Sequence, residues 1–187
     1  MAPTRRSQPA LSIRLEMHTA EVRPPLRRFL PRELRRLALL AGVRRGQLGV
    51  AVVDAAEMAR LHQRYLGLRS ATDVLTFDLR GNPGESPGDV PGAELDGDLV
   101  ICLPVAVKQS ALRGHAARLE VLLYALHGLL HLLGYDDHRP AAAARMHARE
   151  DQLLRRAGHG PVFARPPHVQ PRFGEPRVPH RASPTRA

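Results

Sequence analysis

Apolar and polar positions alternate from Leu11 to Glu16, the signature of a half-buried strand. After Pro24 and Pro25 the spacing changes, and Leu26, Phe29, Leu30, Leu34, Leu37 and Ala41 recur at helical intervals. Gly42 is placed to end that helix. Pro31 predicts a break or a delayed start within it, because proline removes a ladder donor. Gly49–Val53 is short, β-branched and followed by Asp54, which predicts a strand running into a helix N-cap. The helix beyond carries Met58, Leu61, Tyr65 and Leu66 and should stop at Gly67. Thr72–Leu79 predicts a buried strand, and Leu95–Leu103 another, stopped by Pro104. Between them, 80–93 is dense in Gly and Pro and predicts an exposed, mobile loop.

Helices fill the remainder. One runs from Val105 to about Leu112, and a strongly apolar one from Leu119 to Leu133 ends at Gly134. The last spans Pro140 to about Ala157, with proline at its first turn and Met146, Leu153 and Leu154 facing the core. Strands early and helices late predict an α/β (α+β) fold, a small mixed sheet of about four strands layered with helices. No internal repeat is visible. Residues 1–10 read as an unstructured N-terminus and 11–157 as a single domain. Residues 158–187, with seven prolines and five arginines, read as a disordered basic tail that cannot bury enough surface to offset its ordering entropy.

Composition narrows the class. A chain of 187 residues supports one good core, and with aromatics at 4% and no Trp that core must be Leu, Val and Ala. The lone Cys102 cannot form an internal disulfide, which suits a reducing, cytoplasmic compartment. The net charge of +10 is almost entirely arginine, Lys108 being the only lysine, and it is weighted towards Arg23–Arg45 and the tail. Such a field favours a polyanionic partner such as RNA without identifying one. The N-terminus lacks the apolar run of a secretory signal. The most apolar stretch is too short for a bilayer and is interrupted by His127 and His131, so no membrane partner is expected.

Those two histidines carry the chemistry. Four residues apart on a helix, they project from one face and can supply two corners of a tetrahedral metal site. A single histidine in an apolar helix is ordinarily a satisfied core residue, but two on an otherwise apolar helix each need a partner. Gly134 can fold the chain back so that a residue soon after it reaches the same ion. Counting from that glycine, as in the HExxHxxGxxH zinc peptidases, puts Asp137 in the third-ligand slot. His138, one residue on, is the better ligand by type but needs a bulge in the turn. Asp137 ranks ahead, with His138 open. Three protein ligands leave a position for water, as in catalytic zinc sites. The general-base glutamate of those peptidases is replaced by Gly128, which argues for a different hydrolysis.

The stretch His127-Gly128-Leu129-Leu130-His131-Leu132-Leu133-Gly134-Tyr135-Asp136 resembles the HGxLHLxGYDH signature of the YbeY family, metal-dependent endoribonucleases that mature rRNA. Thr72–Phe77 resembles that family's PTDVLSF strand, and Gly97–Ile101 its GDIVIS strand, with matching blocks from about Leu48 to Ala157. The resemblance implies a compact, zincin-like α/β domain binding one zinc or other divalent ion per chain. It implies a hydrolase that cleaves single-stranded RNA, matures the 3′ end of 16S rRNA and serves ribosome quality control. The family's third histidine aligns without a gap to Asp137, and its later Met and Glu fall on Met146 and Glu150. In the family's LNxxYR segment, the Asn and Arg slots are here His62 and Leu66, so a role of that arginine does not carry over unless Arg64 or Arg69 substitutes.

Two other classes stay open on the residues alone. A metallopeptidase could draw its base from Glu120, although that residue reads more simply as a solvated first-turn charge. A ribosome-associated binding module could hold the metal structurally and anchor through the basic tail.

Overall fold

The computed structural model describes residues 10–19, 24–80 and 93–160. The expectations for residues 1–9, the Gly/Pro-rich stretch 81–92 and the tail from 161 lie outside the described residues. Four strands and five helices follow one another as β1 (Ser12–Met17), α1 (Pro24–Leu40), β2 (Val43–Val53), α2 (Ala55–Leu66), β3 (Val74–Asp78), β4 (Ala93–Cys102), α3 (Leu103–Arg113), α4 (Ala117–Leu132) and α5 (Pro140–Arg156).

The strands form one mixed sheet in the order β1-β2-β4-β3. β1 and β4 run parallel to β2, and β3 closes the edge antiparallel to β4, pairing Thr76 with Leu99 and Phe77 with Asp98. One face of the sheet is covered by α1 and α4. There Leu30, Leu34, Leu37, Leu48, Leu99, Leu122 and Leu126 merge into a single leucine-rich core. A smaller cluster, Val53, Met58, Leu75 and Cys102, packs beneath α2. The aliphatic core expected from the shortage of aromatics is what forms.

Three local expectations are corrected. Pro31 lies inside α1 and does not interrupt it. The missing donor and ring clash cost about 3 kcal/mol, but Leu30, Leu34 and Leu37 are wholly buried, and each contributes about 1.5–3 kcal/mol. Burial wins. β2 begins at Val43, well before Gly49, and its register against β4 shifts between Val43 and Arg45, just ahead of Gly46. Its φ of 114° and the carbonyl of Leu95, which occupies the space of a side chain, leave room for glycine alone. β4 stops ahead of Pro104 as expected, but α3 begins at Leu103, earlier than Val105, with Pro104 in its first turn.

Asp54 caps α2 as expected, accepting from the Glu57 amide at 2.8 Å, and Gly67 closes the helix in the left-handed region. β3 then passes alongside α4. Thr76 packs near Gly128, and the Arg80 guanidinium donates to the Leu132 carbonyl at 2.9 Å, satisfying one of the open carbonyls at the end of α4. The edge strand and the apolar helix thus lie side by side. Among the described residues no helix is long and apolar enough to cross a membrane.

Candidate metal centre

Between Glu120 and Leu132 every residue of α4 is buried except His127 and His131, which are partly exposed. The helix is apolar all round because it lies between sheet, α1, α3 and α5, and the histidines mark its one partly exposed face. After Leu132 the chain reverses at Gly134, whose φ of 91° is costly for a residue with a side chain. The Tyr135 amide bonds back to the Leu130 carbonyl at 3.0 Å and locks the turn.

That turn presents Asp137. Its carboxylate oxygens lie 3.6 Å from His127 Nε2 and 3.7 Å from His131 Nε2, and the two Nε2 atoms are 3.0 Å apart. His127, His131 and Asp137 therefore offer three ligand atoms within 4.8 Å of one another. His138, the other third-ligand candidate, has its side chain 85% exposed and hydrogen-bonded to Asp136 at 2.5 Å. It comes within 3.6 Å of Asp137 but is not part of the His127–His131 set, belonging to a second, more exposed group with Asp136 and Asp137.

The far nitrogens decide what the cluster can hold. His127 Nδ1 donates to Glu150 Oε1 at 2.8 Å, and His131 Nδ1 donates to the Tyr135 carbonyl at 3.0 Å. With both Nδ1 protons committed, both Nε2 lone pairs face each other and the Asp137 carboxylate. Three acceptors in that space repel one another unless a positive centre joins them. One solution is a proton on His127: burial pushes its pKa down, but the Glu150 hydrogen bond and the charges of Glu150, Asp137 and Asp73 outweigh that and raise it. His131 moves the other way, lowered by burial and by the neighbouring His127. The other solution is a divalent cation, and two imidazoles with one carboxylate are a donor set that suits zinc-type ions. The residues fit such an ion.

Glu150, matched to the family's later Glu in the sequence, carried no expected role there. It is wholly buried on α5 and joins His127 to His147, whose Nδ1 lies 3.0 Å from its second oxygen. Burial raises its carboxyl pKa, but the bonds from the two histidines prevail and hold it below the usual glutamate value. A signal was present in the sequence: Met146, Glu150, Leu153 and Leu154 share the core-facing stripe of α5, and a carboxylate in that stripe requires a partner.

Two further expectations resolve here. Glu120 is not a solvated charge. It is fully buried, accepting from Arg113 at 2.9 Å and paired with His115 at 2.5 Å, and Tyr124 also bonds to it. It clamps α3 to α4 and is not free to serve as a peptidase base. Gly128, the position of that base in peptidases, faces inward, where an added Cβ would come within 2.6 Å of Leu99 and 2.9 Å of Thr76. A glutamate has no space there. His62 is buried with Nδ1 2.5 Å from the Ser70 carbonyl, whereas Leu66 is exposed at the end of α2.

Comparison with known proteins gives a consistent relationship. The sequence pattern of the family described as "Endoribonuclease YbeY" matches residues 13–158. A Moorella thermoacetica protein named Endoribonuclease YbeY is 38% identical over 132 residues, which are 69% of this chain and 85% of that one. Proteins of the same name from Mycobacterium tuberculosis and Mycobacterium ulcerans are 40% identical over 110 residues, 58% of this chain and 62% of theirs, so the match spans slightly less than two thirds of those relatives. The solution structure of TM1509 from Thermotoga maritima superimposes with a TM-score of 0.52 at 20% identity, covering 85% of this chain and all of that one, a likeness of fold. A match through the whole sheet and the histidine helix, together with the 38% identity to the Moorella protein, means that the chain belongs to the YbeY family.

Proposed function

We propose that this chain is a metal-dependent endoribonuclease that cuts single-stranded RNA, acting in late maturation of the 16S rRNA 3′ end and in ribosome quality control. Membership of a family whose relatives are named endoribonucleases supports the activity. The observation that carries the metal is the convergence of the His127 and His131 Nε2 lone pairs on Asp137, with both Nδ1 protons held from behind. In this reading those three residues hold one zinc ion, and His138 stays outside the set. When bound, the ion supplies Lewis-acid stabilisation for charge developing on a phosphodiester.

The chain's own residues do the rest. Glu150 and the Tyr135 carbonyl keep the imidazoles in the tautomer that exposes Nε2. Asp137 adds a single negative charge, so a divalent ion leaves the centre net positive towards a phosphate. Arg139 and Arg145 line a hollow behind the Gly134 turn and add positive charge beside it. Location in the cytoplasm and association with the small ribosomal subunit belong to the same reading.

The test offers purified protein a single-stranded RNA matching the 16S 3′ end and, separately, a peptide library. RNA cleavage should disappear with chelator and with His127→Ala and return on adding zinc to the stripped wild type. Cleavage that survives complete metal removal would sink the metal-dependent reading, and peptide turnover would revive a peptidase.

A further inference from the structure

The end of α2 carries an aromatic side chain that the metal centre does not use. Tyr65 is 54% exposed and its neighbour Leu66 60% exposed, although the spacing of α2 would have turned an apolar stripe inward. Tyr65 is nevertheless held in place. Its ring meets Phe77 of β3 edge-to-face, with centroids 4.9 Å apart at 67°. The Arg64 guanidinium lies 5.7 Å from the ring centroid, and exposed Arg69 follows just beyond the cap at Gly67.

A fixed aromatic ring open to solvent, bordered by the Arg64 guanidinium with exposed Arg69 shortly after it in the chain, has the chemistry that binds an unpaired base. The ring stacks on the base, and the cations attract the phosphates on either side. The cations also favour this occupant over an apolar protein surface, which gains nothing from them.

The ring and the metal centre both border the edge strand β3. Phe77 and Thr76 are consecutive on the edge strand and point to opposite faces of the sheet. Thr76 packs near Gly128, next to His127, while Phe77 supports Tyr65. The two features therefore flank β3 from its two sides.

We propose that Tyr65, braced by Phe77 and bordered by Arg64, is a base-stacking platform that seats single-stranded RNA as it crosses the edge of β3 towards His127. This rests on the reading of the chain as an endoribonuclease and makes Tyr65 a positioning residue, remote from the reacting atoms.

The experiment separates the two claims. An oligouridylate with one 2-aminopurine, moved stepwise along it, is titrated into full-length protein carrying His127→Ala so that it stays intact. Fluorescence should be quenched at one or two positions. Adding Tyr65→Ala or Tyr65→Leu should abolish that quench and weaken binding about five- to hundredfold, while Tyr65→Phe should stay within about twofold. In the active protein, Tyr65→Leu should raise KM far more than it lowers kcat. Unchanged quenching and KM in Tyr65→Leu would overturn the platform, as would a Tyr65→Phe as impaired as Tyr65→Leu, or no position quenched at all. A wild type that quenches but never cleaves RNA would refute the nuclease reading and leave the platform standing.

Discussion

Glu150 holds the Nδ1 protons of two histidines from a fully buried position. Glu150→Gln keeps the shape but removes the charge and frees the amide to turn its donor towards His127. Affinity for zinc should fall about ten- to hundredfold, read by competition with a chromophoric chelator, while the melting temperature of the metal-free protein moves little by comparison. Retained affinity would show that the carboxylate is only a packing residue. The two third-ligand candidates divide at the same scale. Asp137→Ala should lose most bound metal on elemental analysis, and His138→Ala should keep it, because the His138 ring projects into solvent and pairs with Asp136. Equal loss in both variants would return His138 to the site.

At the scale of elements, position 128 is constrained by the strands beneath α4. Alanine in place of glycine ordinarily gains up to about 1 kcal/mol in a helix interior. Here the new methyl meets fully buried Leu99 and the Thr76 hydroxyl, and overpacking costs about 1–3 kcal/mol. Gly128→Ala should therefore lower stability by about 1 kcal/mol in chemical denaturation; a stabilised variant would mean that Leu99 moves aside freely. The same contact explains what was legible in the sequence. The i,i+4 histidines, the Gly134 turn and the Asp54 cap are local, and local patterns can be read directly. The Pro31 helix, the early start of β2 and the burial of Glu120 depend on what lies across the core, through Leu34, Leu95 and Arg113. No window along the chain contains those partners. Glu150 falls between the two cases: its helix and its face were readable, but its partner, 23 residues away, was not.

For the whole molecule, the end of the domain is fastened further on than composition implied. His159 bonds Glu33 of α1 at 3.0 Å and sets its ring edge-on to Phe29, while Arg36 donates to the Ala157 carbonyl at 3.0 Å. The folded unit therefore extends through at least His159, past the boundary at 157. Burial raises the Glu33 pKa, but hydrogen bonds from His159 and Arg32 outweigh it and leave the carboxyl below its ordinary value of 4.5. Because the folded value is depressed, this contribution to stability is present above pH 4.5 and is lost as pH falls through the folded value. Glu33→Gln should melt lower than wild type at neutral pH, and the gap should close on acidification; a gap independent of pH would rule out the ion pair. Removing 158–187 should likewise destabilise the chain, and removing 161–187 should leave this fastening in place.

Cys102 offers a way to observe the wall that α2 and β3 form together. It is the chain's single thiol, wholly buried beneath α2, and its amide bonds the Asp73 carbonyl at the start of β3. Burial raises the thiol pKa, and the charges of Asp54 and Asp73 add to that. A thiol reagent can therefore react only during moments when α2 or β3 lifts away. Its labelling rate measures the opening of that wall alone, in unmodified protein and without a probe. If RNA seats against Tyr65 across the β3 edge, saturating oligonucleotide should slow the labelling, and Tyr65→Leu should remove the protection. One cysteine then reports on one edge of a fold that has no crosslink of its own.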